Sequence, residues 1–107
     1  DMGITGAMKI AHLGEAFGVD VEVHACGPAH RHVMAAMRNS NYYEVALVGP
    51  DCPNAVPPVY ACGYSDQLDC VGSDGCVPVP DGPGLGVTYD WDFIEKNRTE
   101  LTIIGEK

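Results

Sequence analysis

The sequence predicts an α/β fold with parallel strands, because helical and strand-like segments alternate through its first half. Residues 5–17 carry apolar side chains at helical spacing, and residues 19–23 form a short valine-rich run typical of a buried strand. The same pair of signals repeats as a helix over residues 29–38 and a strand over residues 42–48. Parallel strands need a crossover connection, usually a helix, so this order of elements indicates a parallel α/β architecture.

Particular residues indicate where these segments begin and end. Thr5 is a suitable N-cap for the first helix. Gly18 is predicted to end this helix, because glycine readily adopts the left-handed conformation found at helix C-termini. Gly27 and Pro28 break the first strand. The second helix is predicted to stop at the polar residues 39–41. Its apolar side is predicted to consist of Ala29, Val33, Ala36 and Met37.

The second half of the chain is rich in proline, glycine and turn signals. A Pro-rich loop covers residues 50–58, and residues 66–79 are predicted to form a hairpin around Ser73-Asp74-Gly75. A Gly-rich turn is predicted over residues 82–87, and residues 89–97 should pack on a neighbouring surface. Two parallel strands alone leave both sheet edges unpaired, so the chain is predicted to be the tail of a larger fold.

Charge and composition exclude several classes of partner. With 15 acidic and 6 basic residues the formal charge is −9, which would repel nucleic-acid backbones and anionic lipids. No apolar run approaches the roughly 20 residues that span a bilayer, so we expect no nucleic-acid and no membrane partner. The cysteines are odd in number and include no C-x-x-C pair. This disfavours a disulfide framework and predicts reduced thiols in a cytoplasmic protein.

A stretch rich in histidine, VEVHACGPAHRH, follows the first predicted strand and is the first place to look for a metal. Its candidate ligands would be His24, Cys26, His30 and His32. Their spacing does not fit the structural zinc patterns, and two residues that are two apart in a helix point away from each other. The pattern therefore disfavours a metal site here.

His24 and Glu44 are the candidate catalytic residues. In an α/β barrel the carboxyl ends of the strands form the active-site face, where a histidine after one strand and a glutamate in the next could converge. Imidazole suits proton abstraction near neutral pH, and a protonated carboxyl group can donate to a developing oxyanion. From the pattern alone, an ordinary structural role for each residue remains open. Glu22 should turn away from the side of Val21 and Val23, by the alternation of a strand.

Three stretches together resemble the C-terminal end of enolase-superfamily enzymes, in the mandelate racemase-like branch that includes acid-sugar dehydratases. They are GITGAMKIAHLGEAFGVDVEVH, the Tyr-Tyr-Glu segment at residues 42–44, and DGPGLGVTYDWDFIEKN. The match extends over essentially the whole chain. The resemblance implies the C-terminal part of a modified (β/α) TIM barrel, with its last two strands and flanking helices. It implies that residues 1–49 belong to the barrel, and that residues 50–107 form a tail with a hairpin that returns to an N-terminal capping domain.

The resemblance also implies roles for individual residues. His24 falls where the family places a general base or acid at the end of the seventh strand. Glu44 falls where it places a carboxyl group that hydrogen-bonds the substrate carboxylate or the enediolate. The family's aspartate that pairs with the histidine precedes Gly3 by several residues, and Asp1 is too close to be that aspartate. The resemblance therefore places three features upstream, outside this chain: the aspartate that pairs with His24, the carboxylate ligands of Mg²⁺, and the family's lysine.

The implied activity is Mg²⁺-dependent removal of the proton α to a carboxylate, followed by loss of water from a sugar acid. Racemisation or epimerisation of a 2-hydroxy acid through the same enediolate is the first alternative. A catalytically inert fragment is the second, and a small binding protein that uses the 50–58 loop is the third. The implied partners are a small carboxylate substrate, the rest of the barrel, the capping domain and further copies in a homo-oligomer.

Overall fold

The computed structural model describes residues 3–46 and 59–105. Its helices are α1 (Gly3–Ala16), α2 (Pro28–Ala36) and α3 (Trp91–Asn97), with a 3₁₀ turn at Leu68–Cys70. An antiparallel bridge joins Tyr60 to Tyr89. Among the helices of the described ranges, none has the length and apolar character that crossing a membrane requires.

Helix α1 begins two residues earlier than the sequence indicates, at Gly3, so the prediction of Thr5 as N-cap is wrong. Apolar spacing marks the buried face of a helix and carries no information about its first turn, where the error lies. The predicted stop is confirmed. Gly18 has a φ of 66°, and its N–H donates to the Glu15 carbonyl at 3.0 Å.

Helix α2 begins at Pro28, whose fixed φ suits a first turn and whose missing N–H is not needed there. Val33 and Met37 are buried, as predicted, whereas Ala36 is exposed. Helix α2 ends at Ala36, before the predicted stop at residues 39–41, and Met37 is its C-cap in an extended conformation, so Ala36 and Met37 do not share one helical face. The apolar side of α2 is therefore narrower than the sequence suggests.

Neither predicted strand pairs in a ladder within the described ranges, which corrects the prediction for residues 19–23 and 42–46. The backbone groups that a ladder would use have other partners. The Val21 N–H donates to the Asn39 carbonyl at 2.7 Å, and the Glu22 carboxylate accepts the backbone N–H groups of Asn41 and Tyr42 at 3.0 and 3.1 Å. Two strands without neighbours are also marginally stable as a sheet. Residues 47 and 48 lie outside the described residues.

The core lies between α1 and α2 and is small. Ala11, Val33 and Met37 are buried, and partly buried side chains pack against them: Ala7, Met8, Val21 and Val23. Glu22 is exposed between Val21 and Val23, so the predicted alternation is confirmed. Large apolar side chains of α1 stay exposed on its other side, among them Ile10 and Leu13.

Gly14 marks the closest approach of α1 to the segment that follows it. A Cβ on Gly14 would lie 2.7 Å from Val21 Cγ2 and 3.1 Å from the Val19 carbonyl oxygen. We expect Gly14→Ala to lower the free energy of unfolding by about 1–3 kcal/mol, although alanine has the higher helix propensity. Urea unfolding of the full-length protein measures this effect, with Thr5→Ala at an exposed position of α1 as the control. A stabilised Gly14→Ala variant would contradict the close contact.

The tail from residue 59 folds back on itself. The Ala61 N–H donates to the Thr88 carbonyl at 2.9 Å, and the Asp90 N–H to the Val59 carbonyl at 2.8 Å. Asp90 then caps α3 by accepting the Phe93 N–H at 2.9 Å. This pairing fixes the start of α3 against the residues near Tyr60.

The hairpin predicted for residues 66–79 is present only as its turn. The Gly75 N–H donates to the Gly72 carbonyl at 2.9 Å, and Gly75 has a φ of 78°. No strands flank this turn in the described structure, and Leu68–Cys70 forms the 3₁₀ turn instead. Pro78 lacks the N–H that a hairpin ladder needs, which explains why the second arm does not pair.

The Gly-rich turn at residues 82–87 is confirmed. The Gly86 N–H donates to the Pro83 carbonyl at 3.2 Å, and Gly84 and Gly86 both have a φ of 66°. A Cβ on Gly86 would lie 2.8 Å from the Pro80 carbonyl carbon, so this position requires glycine. The predicted Pro-rich loop at residues 50–58 lies outside the described residues, as does the predicted boundary between residues 49 and 50.

Candidate active site

The structure brings His24 and Glu44 into direct contact. His24 Nδ1 lies 2.8 Å from Glu44 Oε2. The two side chains come from the segments that precede and follow α2. They are open to solvent, with 93% of the His24 side chain and 48% of the Glu44 side chain exposed. The two residues that the sequence singles out thus converge at one place.

The backbone next to His24 is strained and is held by the same carboxylate. Ala25 has a φ of 72°, a left-handed conformation that costs a residue with a Cβ about 1–2 kcal/mol. Its N–H donates to Glu44 Oε2 at 2.5 Å. One carboxylate oxygen therefore contacts both the His24 ring and the amide that follows it. Strained backbone of this kind clusters at functional sites, where the surrounding contacts maintain it.

These contacts determine the charge of Glu44. The hydrogen bond from the Ala25 N–H, and after it the nearby His24 ring, lower the pKa of Glu44 below its ordinary value. The side chain is therefore a carboxylate at neutral pH and accepts hydrogen bonds. Donation from Glu44 to an enediolate oxygen stays a prediction, and it requires that Glu44 first takes up a proton.

The contact also determines which nitrogen of His24 can act on a substrate. A carboxylate beside Nδ1 favours the tautomer in which Nδ1 carries the hydrogen. The lone pair of the neutral ring then lies on Nε2, at the far side from Glu44. This is the arrangement in which a carboxylate orients a histidine that exchanges protons through its other nitrogen.

The other histidines of the VEVHACGPAHRH stretch have different surroundings. His32 Nε2 lies 3.1 Å from the Leu85 carbonyl oxygen, and the His30 ring lies against Gly27. Burial raises the pKa of the Cys26 thiol, which disfavours the thiolate that metals bind. Across residues 3–46 and 59–105, no group of three or more His, Cys, Asp or Glu side chains could hold a metal ion.

A cluster that the sequence did not predict lies beside this pair, with two buried and two half-buried side chains. It consists of Arg31, Tyr43, Tyr64 and Asp66, and we call it the Arg31 cluster. Arg31 Nη2 lies 2.8 Å from Asp66 Oδ1, with only 4% and 1% of the two side chains exposed. The Tyr43 and Tyr64 hydroxyls donate to the same Oδ1 at 2.5 and 2.9 Å.

The guanidinium group of Arg31 holds several segments together. Its Nη1 donates to the Pro78 carbonyl at 3.0 Å, and its Nη2 donates to the Ser65 carbonyl as well as to Asp66. The guanidinium carbon lies 4.4 Å from the centre of the Tyr64 ring and 5.2 Å from that of Tyr43. Helix α2 is thereby fastened to the tail.

The Arg31 cluster reaches the His24–Glu44 pair through Tyr43. The Tyr43 hydroxyl accepts the Gly27 N–H at 2.8 Å, and Tyr43 directly precedes Glu44. Burial, and then the hydrogen bond to Asp66, raise the pKa of Tyr43, so it stays a neutral hydroxyl. The only signal for the cluster in the sequence was the Tyr-Tyr-Glu segment, because Arg31 and Asp66 are 35 residues apart.

Comparison with known proteins identifies the family. Residues 2–93 match the family described as Enolase C-terminal domain-like. The chain belongs to this family. The resemblance noted in the sequence is thus confirmed, and as an enolase-like domain the chain is part of an α/β barrel.

The curated relatives of this enolase-like chain include acid-sugar dehydratases. It is 35% identical over 104 residues to a D-gluconate dehydratase from Thermoproteus tenax, a match covering 92% of this chain and 19% of that protein. It is 29% identical over 92 residues to a Caldivirga maquilingensis protein assigned as an L-rhamnonate dehydratase, covering 86% and 22% of the two chains. The chain therefore spans about one fifth of the length of these relatives. No solved structure matches it significantly.

Proposed function

We propose that these residues belong to a Mg²⁺-dependent acid-sugar dehydratase. The observation that carries the proposal is the 2.8 Å contact between His24 Nδ1 and Glu44 Oε2 in a chain of the enolase-like family. The names of its relatives support a sugar acid as the substrate. In this proposal residues 1–49 contribute the last two strands of the barrel, and residues 50–107 return to an N-terminal capping domain.

His24 is the proton-transfer group of the proposed reaction. The bond between the α-carbon and its hydrogen breaks, and the electron pair stays on the substrate as an enediolate. The bond between the β-carbon and its hydroxyl then breaks, water leaves, and the enol becomes a 2-oxo-3-deoxy acid. His24 Nε2 takes the α-proton and, as the imidazolium, returns it to the departing hydroxide; when a base outside this chain takes the α-proton, His24 starts as the imidazolium and gives its Nε2 proton to that hydroxide.

In its carboxylate form, Glu44 supports the proton transfer by His24. It holds the Nδ1 hydrogen, keeps Nε2 toward the substrate, and stabilises the imidazolium that forms when Nε2 takes a proton. In its protonated form Glu44 would hydrogen-bond an enediolate oxygen. The two roles belong to different protonation states, so they act at different steps of the reaction.

The described residues do not themselves fit a Mg²⁺ site, since no suitable group of ligands occurs in residues 3–46 and 59–105. We therefore propose that the Mg²⁺ ligands lie outside this chain, in the remaining part of a protein as long as its relatives. We also propose a homo-oligomer in the cytoplasm. The four cysteines of the described ranges are free thiols, which is compatible with that location.

The proposal is tested with the full-length protein, Mg²⁺ and a panel of sugar acids that includes D-gluconate and L-rhamnonate. We expect a 2-oxo-3-deoxy acid as the product, and exchange of the α-hydrogen with deuterium from D₂O. Exchange that yields an epimer without any 2-oxo acid would favour the racemase or epimerase alternative. Absence of both the 2-oxo-3-deoxy acid and the exchange of the α-hydrogen would contradict the proposal. The isolated 107-residue chain is the control and is expected to be inactive.

A further inference from the structure

We propose that Tyr43 is a positioning residue for His24. Its hydroxyl connects the backbone of residues 24–27 to the buried Arg31–Asp66 pair, and this connection fixes where the His24 ring lies. The inference rests on the proposed function for its catalytic consequence. Its structural part, the position and tautomer of His24, can be tested without any activity.

The connection consists of two hydrogen bonds in series. The Gly27 N–H donates to the Tyr43 hydroxyl oxygen at 2.8 Å, and that hydroxyl donates to Asp66 Oδ1 at 2.5 Å. Gly27 is also the N-cap of α2, and its carbonyl accepts the Arg31 N–H at 3.1 Å. The end of the 24–27 segment is therefore fastened at both its N–H and its carbonyl group.

His24 needs such an anchor because packing does not hold its side chain. With 93% of the side chain exposed, the ring is positioned by its own backbone and by the contact with Glu44. Ala25, directly after it, has a φ of 72°, which the chain would leave if it were free to relax. Tyr43 is connected to both members of the His24–Glu44 pair. Its hydroxyl binds Gly27, three residues after His24, and Tyr43 itself directly precedes Glu44 in the chain.

The anchor itself is buried and held from several directions. Only 1% of the Asp66 side chain is exposed, and Arg31 fastens it to the Ser65 and Pro78 carbonyls. Asp66 Oδ1 accepts hydrogen bonds from Arg31, Tyr43 and Tyr64, so this oxygen is held by three donors and can serve as the fixed end for an exposed segment. Displacing a reacting group by about 1 Å can cost roughly a hundredfold in rate.

Tyr64 provides a matched control within the same cluster. Its hydroxyl donates to the same Asp66 Oδ1, at 2.9 Å, and its ring also lies over the Arg31 guanidinium. Among the described hydrogen bonds it makes none to residues 24–27. Tyr43→Phe and Tyr64→Phe therefore remove the same chemical group from the same acceptor, and only the first releases the His24 segment.

The experiment compares the two variants in the full-length protein by thermal unfolding, by kcat and KM, and by the ¹⁵N shifts of the His24 ring. We expect both variants to lose thermal stability, and Tyr43→Phe to lose somewhat more, because it also leaves the Gly27 N–H without its partner. Tyr43→Phe alone should lower kcat by about tenfold to a hundredfold with little change in KM, and should lose the preference for the Nδ1–H tautomer. Equal kcat values and equal tautomer signals in the two variants would overturn the proposal.

Two further readouts separate this inference from the proposed function. If the full-length protein does not dehydrate sugar acids, the ¹⁵N shifts of the His24 ring still test whether Tyr43 positions His24, since they need no substrate. If Tyr43→Phe does not fold, amide hydrogen exchange in the unaltered protein decides, because the Gly27 N–H must be protected by its bond to Tyr43. Protection of Gly27 that survives in Tyr64→Phe supports the proposal. Exchange of Gly27 at the rate of a free amide would overturn it.

Discussion

Replacing Asp66 by alanine is expected to lower the free energy of unfolding by about 3–5 kcal/mol. The change removes the carboxylate that faces Arg31 while the guanidinium stays buried, with 4% of its side chain exposed. It also leaves the Tyr43 and Tyr64 hydroxyls without their common acceptor. Urea unfolding of the full-length protein measures the loss. Asp81→Ala, at an exposed position, is the control and should change stability by less than about 0.5 kcal/mol.

A second variant shows whether this loss comes from the unpaired charge. Arg31 Nε and Asp66 Oδ2 are buried without a hydrogen-bond partner in the described structure, so the pair is incompletely satisfied. Removing both charges, as in Arg31→Met with Asp66→Ala, should therefore restore part of the stability that Asp66→Ala loses. A double variant as unstable as the sum of its single changes would show no coupling between the two groups, and the loss in Asp66→Ala would then not come from the unpaired charge of Arg31.

The features that the sequence predicted correctly are those with local causes. Gly18 supplies the stop after α1, and Gly27-Pro28 separates residues 19–23 from α2, because the conformations of glycine and proline are set by the residues themselves. The turn at Gly75 and the Gly-rich turn at Gly86 follow the same rule. The sequence predicted that His24, after one strand, and Glu44, within the next, could converge, and the structure brings them into contact although residues 19–23 and 42–46 form no ladder.

The features that the sequence missed depend on residues far apart in the chain. Whether residues 19–23 form a ladder depends on which groups bind their N–H and carbonyl groups, and Asn39 competes for them. The Arg31 cluster joins α2 to residues around Asp66 and Pro78, and no short pattern indicates such a meeting. An arginine in the middle of a helix usually lies at the surface, so its burial could not be predicted from its position.

Replacing His24 by asparagine is expected to lower kcat of the full-length protein by about 10²–10⁴. Asparagine keeps a polar side chain near Glu44 but cannot take or give a proton at the position of Nε2. The Arg31 cluster does not involve the His24 side chain, so the thermal stability should change little. His12→Asn is the matched control, because it makes the same exchange at an exposed position of α1 and should retain kcat within about twofold.

The contribution of Glu44 to the same step is measured by a double-mutant cycle. Glu44→Gln keeps the shape of the side chain and removes the charge that favours the Nδ1–H tautomer and the imidazolium. If Glu44 acts through His24, then Glu44→Gln should lower kcat in the unaltered protein and have little further effect in His24→Asn, because residues that act as a unit are not additive. Equal effects of Glu44→Gln in both backgrounds would show that Glu44 acts on the substrate independently. That result would favour its direct hydrogen bond to the enediolate over its role as the partner of His24.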